Sequence, residues 1–186
     1  GVSQEASIAA CTAIIQSGRE TKENLAVAFT NRARGYLETD QFDLAIADCN
    51  QALKLKPDYA LALIDRGDAY RFQRKYDLAI ADFDRALKVA PDAARAYVHR
   101  GLCYAKKGQY DRAIQDYDQA IKLEPGALPA YNNRGNAHLA KGEYDRALQD
   151  YDQGISLSPD NAALLNSRCW VRAVMGRQLD KALADC

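Results

Sequence analysis

Apolar residues recur along the chain at steps of three and four, the spacing that places side chains on one face of an α-helix. Residues 94–106 carry Tyr97, Gly101 and Tyr104 at this spacing. The following stretch does the same, with Ala113, Ile114, Tyr117, Ala120 and Ile121 on one face. Between the two stretches stands Lys107-Gly108, and a glycine here suits the left-handed end of a helix. The pattern therefore predicts two helices joined by a tight turn, with Asp111, and Asp145 in the next such stretch, expected to cap the second helix.

This two-helix pattern repeats with a fixed period. The prolines at Pro57, Pro91, Pro125 and Pro159 are each 34 residues apart. Carried along the chain, the frame gives four full repeats, 26–59, 60–93, 94–127 and 128–161, and a truncated fifth, 162–186. Residues 7–15 align with 45–53, so we interpret residues 1–25 as a partial repeat that has only its second helix. Helix pairs that cannot close a core alone stack on their neighbours, which predicts one continuous all-α solenoid. Neither end shows a polar cap, so we expect a piece of a longer protein.

Small residues occupy the eighth, twentieth and twenty-seventh places of the repeats. Glycine stands at the eighth place in three of them, as Gly67, Gly101 and Gly135. Two helices that cross at close range need such residues where their backbones meet. Aromatic residues at the twenty-fourth place are expected to fill the space beside them, namely Phe83, Tyr117 and Tyr151.

In its period, small residues, aromatic residues and terminal proline, the chain resembles the tetratricopeptide repeat family from residue 26 to residue 186. The resemblance implies a right-handed superhelix whose first helices line a concave groove. It places the second, fifth, sixth, ninth and twelfth positions of each repeat in that groove. The polar and aromatic residues at those positions are Asn31, Arg34, Asp65, Asp68, Arg71, Arg95, His99, Asn132, Asn133, Asn136, Asn166, Ser167 and Trp170.

A groove of this composition suits the binding of another protein. Side-chain amides hydrogen-bond to a peptide backbone, charged groups select charge, and Trp170 offers an anchor. The resemblance thus implies a non-catalytic scaffold that holds an extended or helical segment of a partner. Asp65 lies near the centre and is expected to repel a C-terminal carboxylate. Two alternatives stay open: a spacer or dimerisation arm whose ends stack on another copy, and the substrate-docking module of a larger enzyme.

Composition narrows the class of partner. The 25 Lys and Arg residues balance 25 Asp and Glu residues, so a nucleic-acid partner is not expected, and a protein or peptide of mixed charge is. No apolar run reaches the roughly 18 residues that a membrane-spanning helix needs, so membrane insertion is not expected. The spacing of the five cysteines matches no metal or redox motif, and we expect no metal and no cofactor. His138 stands where three other repeats have tyrosine, which favours a packed imidazole over a catalytic base.

Two further patterns concern charge and sulfur. Arginine recurs at the seventh place and aspartate at the twenty-third, as Arg32, Arg66, Arg100, Arg134 and Arg168 with Asp48, Asp82, Asp116, Asp150 and Asp185. We expect surface ion pairs that fix the register of the repeats and add little stability. Cys11, Cys49 and Cys186 stand where other repeats have Phe or Tyr and are expected to fill the core. Cys169 and Cys186 lie on facing helices and are candidates for a disulfide. Residues 10–18 resemble the start of exported bacterial members of the family, which favours export.

Overall fold

The computed structural model describes residues 4–176 and 179–186, and the regular structure over these residues is entirely α-helical. The prediction of an all-α chain of helix-turn-helix repeats is confirmed. Residues 1–3 of the predicted partial repeat, and Arg177 and Gln178 of the fifth, lie outside the described residues. In the described residues the helices are α1 (Gln4–Gln16), α2 (Lys22–Glu38), α3 (Phe42–Leu55), α4 (Ala60–Phe72), α5 (Tyr76–Val89), α6 (Ala94–Lys106), α7 (Tyr110–Leu123), α8 (Leu128–Ala140), α9 (Tyr144–Leu157), α10 (Ala162–Met175) and α11 (Leu179–Asp185).

The chain divides into two compact units, one that ends at His99 and one that begins at Arg100. The N-terminal unit contains α1 to α5 and the first residues of α6. The C-terminal unit contains the remainder of α6 and α7 to α11. Each unit is described separately below.

The turn inside each repeat has a left-handed residue at the fifteenth place. Gly108 and Gly142 adopt φ of 73° and 76°, so the predicted glycine ends of α6 and α8 are confirmed. Asp40 and Arg74 take the same conformation, with φ of 57° and 61°. A residue with a Cβ atom is strained there by about 1–2 kcal/mol, so the geometry of the turn prevails over the preference of these two residues.

The predicted aspartate caps of the second helices are wrong by two positions. Gln109 and Glu143 are the residues before α7 and α9, and neither caps its helix with a side chain. Asp111 and Asp145 instead lie in the first turn of these helices. A carboxylate in the first turn stabilises a helix through its dipole, which explains the recurrence of aspartate there without a capping hydrogen bond.

Close contact between the two helices of a repeat explains the small eighth place. A Cβ atom added at any of these glycines would lie 2.7 Å from a ring carbon of the twenty-fourth-place aromatic, closer than any real contact. The pairs are Gly67 with Phe83, Gly101 with Tyr117, and Gly135 with Tyr151. All three rings are completely buried. The predicted role of the small residues is thereby confirmed, and α1 packs on α2 in a related way, through Ile8 against Gly35.

The recurring arginines form what we call the arginine ladder. Nε and Nη2 of Arg66 bind both oxygens of Asp82 at 2.7 and 2.6 Å, while Nη1 donates to Asn50 of the preceding repeat at 2.6 Å. The same two-sided arrangement joins Arg32 to Asp48 and Thr12, Arg134 to Asp150 and Asp118, and Arg168 to Asp185 and Asp152. The fifth ladder arginine, Arg100, binds Asp116 through Nε and Nη2.

The prediction of ion pairs is confirmed, but their predicted surface location is wrong. The side chains of Asp48, Asp82, Asp116 and Asp150 are only 5–8 % exposed. A bidentate guanidinium satisfies a carboxylate well enough to bury it. Removal of one partner would leave a buried charge unpaired, at a cost of about 3–5 kcal/mol, far above that of a surface pair.

The described cysteines behave in two ways. Cys11, Cys49 and Cys103 are buried and belong to no disulfide, so the predicted core role of the first two is confirmed. The predicted core role of Cys186 is wrong, because that residue is exposed. Burial raises the pKa of the Cys49 thiol, which keeps it protonated. Cys169 and Cys186 form a disulfide between α10 and the end of α11, with their Cα atoms 5.7 Å apart.

Candidate functional site

A groove of about 490 Å³ runs between α2, α4 and the start of α6 in the N-terminal unit. We call it the N-terminal groove and define it by Arg34, Leu37, Glu38, Asp68, Arg71, Phe72, Arg95 and His99. These residues come from three successive first helices, which the sequence predicted to line a concave surface.

Two buried carboxylates organise the arginines of this groove. Asp65 is wholly buried, and its oxygens accept from Nη2 of Arg34 at 3.1 Å and Nη2 of Arg95 at 3.2 Å. The same Nη2 of Arg95 lies 2.6 Å from Oδ2 of Asp68, so one guanidinium joins both carboxylates. Burial raises the pKa of Asp65, and the two arginines act against that rise.

Asp68 is 2 % exposed and receives two further partners. Nε of Arg71 lies 3.2 Å from its Oδ1, and Nδ1 of His99 lies 2.6 Å from the same oxygen. Burial by itself would raise the pKa of Asp68, but the hydrogen bond with His99 and the charges of His99, Arg95 and Arg71 outweigh it and lower the pKa. Asp68 is therefore ionised at neutral pH and holds Arg71, Arg95 and His99 in place.

This arrangement bears on two expectations. Asp65 and Asp68 were expected to contact a partner themselves, but both are buried and bind the arginines of the groove. The repulsion of a carboxylate by Asp65 stays a prediction, and the ion pairs of Asp65 with Arg34 and Arg95 act against it. What the groove presents to solvent is the heads of these two arginines, 40 % and 45 % exposed, with Glu38 beside them.

An exposed aromatic side chain completes the N-terminal groove. Phe72 is 49 % exposed and stacks on Phe42, with the ring centroids 5.2 Å apart. The guanidinium carbon of Arg71 lies 4.1 Å from the Phe72 centroid, which adds a cation–π contact. Phe72 occupies the thirteenth place of its repeat, one position beyond those that the sequence assigned to the groove.

The C-terminal unit has a smaller groove of about 240 Å³ between α6, α7 and α8. We call it the C-terminal groove and define it by Leu102, Ala105, Lys106, Tyr110, Tyr117, Asn133, Asn136 and Ala137. Oδ1 of Asn136 accepts a hydrogen bond of 2.8 Å from the hydroxyl of Tyr151. Asn133 and Asn136 were predicted for a groove, whereas Tyr117 and Lys106 were not.

The remaining predicted residues lie in neither groove. Asn31 borders a separate depression between α1 and α2, together with Cys11 and Ile14. Asn132 is half-buried on α8, and Asn166 and Trp170 are exposed on α10. The structure thus brings together five of the predicted residues in the N-terminal groove and two in the C-terminal groove.

The described residues contain no group of three or more His, Cys, Asp or Glu side chains arranged to hold a metal ion. His138 is buried, as predicted, with Nδ1 2.7 Å from Oε2 of Glu143. Hydrogen bonds from Lys141 and His138 lower the pKa of Glu143 to about 2, so that carboxylate stays ionised. Among the described helices, none is long and apolar enough to cross a membrane.

Comparison with known proteins points to one repeat family. Models of the tetratricopeptide repeat match residues 26–59, 64–127 and 129–161. Among curated protein sequences none matches the chain.

Three solved structures illustrate the likeness of the fold. MamA is 24 % identical, with a TM-score of 0.75 over 82 % of this chain and 89 % of that one. YrrB, described as a TPR protein with an unusual peptide-binding site, is 22 % identical, with a TM-score of 0.73 over 95 % and 88 %. The first TPR of Spaghetti (RPAP3), bound to the HSP90 peptide SRMEEVD, is 26 % identical, with a TM-score of 0.62 over 63 % and 93 %.

Proposed function

Because the chain belongs to the tetratricopeptide repeat family, we propose that it is a non-catalytic scaffold that binds an extended or helical segment of a protein partner in its grooves. Stacked helix-turn-helix repeats form an extended surface that presents rows of side chains to a partner. Peptide binding by YrrB and by the RPAP3 repeat, both of similar fold, supports a protein or peptide partner.

The observation that carries this proposal is the fixed position of the arginines in the N-terminal groove. Asp65 and Asp68 hold Arg34, Arg71 and Arg95 through short hydrogen bonds, so these side chains are ordered before a partner arrives. Ordering a long side chain at an interface costs about 0.5–1.5 kcal/mol, and here folding has already met that cost. Arginine and aromatic residues also dominate the binding energy of protein interfaces.

The exposed groups define the chemistry of the partner. The heads of Arg34 and Arg95 suit an acidic side chain, Glu38 suits a basic one, and Phe72 suits an apolar one. The proposed partner segment therefore carries charges of both signs around an apolar residue. This agrees with the balanced charge of the whole chain.

Phe72 is the most suitable residue for a test, because it is half exposed and its removal leaves no buried charge unpaired. We expect Phe72→Ala to remove most of the partner proteins that the wild-type chain retains in a quantitative pull-down from a lysate of the source organism. Leu78→Ala is the matched control, since Leu78 is 51 % exposed and lies on α5, outside both grooves. Leu78→Ala should retain the same partners as the wild type.

Replacement of Asp65 or Arg95 is a poorer test, because either change removes part of the buried network that joins Arg34, Asp65, Arg95 and Asp68 and would affect folding as well as binding. Partner lists that are identical for Phe72→Ala and the wild type would refute binding in the N-terminal groove. Equal losses from Phe72→Ala and Leu78→Ala would refute it as well, since the retention would then depend on general surface hydrophobicity.

One observation favours the alternative of a dimerisation arm. Trp170 and Val174 on α10 are 51 % and 49 % exposed, and Leu183 on α11 is 76 % exposed. An apolar surface of this kind is common where a second protein packs. Light scattering across a range of concentrations tests self-association, and a monomer at every concentration would exclude it.

A further inference from the structure

The hydroxyl of Tyr117 at the C-terminal groove has no hydrogen-bond partner among the residues that the structure describes. The side chain is completely buried, yet it is one of those that line the groove. Burial raises the pKa of this phenol, so the hydroxyl keeps its proton and can donate it in a hydrogen bond. A buried polar group left unsatisfied costs about 1–3 kcal/mol, so its retention calls for an explanation.

The equivalent positions in other repeats show what is missing. Tyr151 occupies the same twenty-fourth place, and its hydroxyl donates to Asn136 at the ninth place of its own repeat. In the repeat of Tyr117 the ninth place is Leu102, which offers no acceptor and lines the same groove. Where the twenty-fourth place is Phe83, the hydroxyl is absent altogether. Tyr117 alone of the three keeps a hydroxyl without an acceptor in its own repeat.

Other polar groups of the C-terminal groove can also donate hydrogen bonds. Asn136 uses its carbonyl oxygen to accept from Tyr151, which leaves its amide N–H groups for another partner. Lys106 brings a positive charge, and Asn133 brings a further amide. The residues that line this groove include no carboxylate. A cluster of donors with one net positive charge is complementary to a negatively charged acceptor.

We propose that the C-terminal groove is a subsite for a carboxylate side chain, Asp or Glu, of the bound partner segment, with the Tyr117 hydroxyl as a donor to it. The proposal deepens the proposed function and rests on it, because the groove is taken to be part of the surface that binds a segment. The subsite lies wholly within the C-terminal unit, so it can be tested without a known partner and independently of Phe72.

The test uses two probes that differ only in the carboxylate, N-acetyl-glutamate N-methylamide and N-acetyl-glutamine N-methylamide. Each is titrated into ¹⁵N-labelled protein, and the side-chain amide signals of Asn133 and Asn136 are followed by NMR. We expect the glutamate probe to shift these signals in a saturable way and the glutamine probe to bind about tenfold more weakly.

Tyr117→Phe removes the hydroxyl and is expected to weaken binding of the glutamate probe about tenfold. The variant should fold, because Phe83 already packs against its glycine at the same 2.7 Å distance. Lys106→Gln is expected to weaken the glutamate probe and to leave the glutamine probe unchanged. Tyr36→Phe in the N-terminal unit is the matched control for loss of a phenol hydroxyl and should bind as the wild type does.

Equal affinity for the two probes would overturn the proposal, because the groove would then not distinguish a carboxylate from a neutral amide. Unchanged affinity of Tyr117→Phe for the glutamate probe would overturn it too. Neither result would contradict the proposed function, which is tested by the pull-down with Phe72→Ala. If Phe72→Ala loses partners and the glutamate probe does not bind, the proposed function stands and the carboxylate subsite is refuted.

Discussion

Two tyrosines at equivalent places allow the hydrogen-bonding argument to be tested on stability. Tyr151 and Tyr117 are both completely buried, and each packs against an eighth-place glycine at the same 2.7 Å distance. They differ in the partner of the hydroxyl, which is bonded to Asn136 in one case and has no partner in the described structure in the other. Replacement of each tyrosine by phenylalanine therefore compares the loss of a bonded hydroxyl with the loss of an unbonded one.

The two substitutions are expected to change the free energy of unfolding differently. Tyr151→Phe loses a hydrogen bond of 2.8 Å, which should lower the free energy of unfolding by about 0.5–1.5 kcal/mol. Tyr117→Phe removes a buried hydroxyl that has no protein acceptor, so it should leave stability unchanged or raise it by about 1 kcal/mol. The two variants should thus differ by about 1–2 kcal/mol although the chemical change is the same.

Trp170 provides the assay, because it is the single tryptophan of the chain and lies in the same C-terminal unit as both tyrosines. Urea unfolding followed by its fluorescence gives the midpoint for that unit, and an unchanged slope would show that only stability has changed. A loss in Tyr117→Phe as large as that in Tyr151→Phe would refute the reasoning. It would mean that the Tyr117 hydroxyl has an acceptor in the folded protein.

Three other features lead to measurable outcomes. Arg74→Gly should raise the free energy of unfolding by about 1 kcal/mol in urea, because a φ of 61° strains a residue with a Cβ atom; a loss of stability would contradict this. Cys169 and Cys186 are 17 residues apart, so reduction of their disulfide should lower the stability of the last repeat by about 3 kcal/mol. A thermal unfolding transition that is the same with and without reductant would contradict this. The folded-state pKa of Asp68 lies below the ordinary value of 3.8, so the unfolded state takes up the proton first as the pH falls. The stability advantage of wild type over Asp68→Asn should therefore shrink from about pH 5 downward in acid titrations, and an advantage that grows would reverse the sign of the argument.

The fold was predictable because its determinants are local and periodic. The eighth-place glycines and twenty-fourth-place aromatics meet within one repeat, so a single sequence period contains both halves of the contact. The arginine ladder was predictable for the same reason. Its burial was not, since exposure depends on how closely the next repeat packs over each carboxylate.

The sequence indicated which helices line the N-terminal groove but not which side chains are buried in it and which are exposed. Asp65 looks like a surface charge in the sequence, because the arginines that bury it come from α2 and α6 rather than from its own helix. Phe72 was missed because the thirteenth place was not counted as part of the groove. The unusual state of Tyr117 is visible in the sequence only once the twenty-fourth place is known to reach the ninth, where Leu102 replaces Asn136.

The arginine ladder has a consequence for how such a chain evolves. Each arginine takes its inner partner from its own repeat, always an aspartate, and Arg32, Arg66, Arg134 and Arg168 take an outer partner from the repeat before. The outer partner varies between hydroxyl, amide and carboxylate, as Thr12, Asn50, Asp118 and Asp152 show. A gene duplication that inserted one whole repeat would bring its own arginine and aspartate. At the new junction its arginine would meet a polar group of a kind to which a guanidinium already donates elsewhere in the chain. Arrays of different length can therefore arise from one repeat without the invention of a new junction.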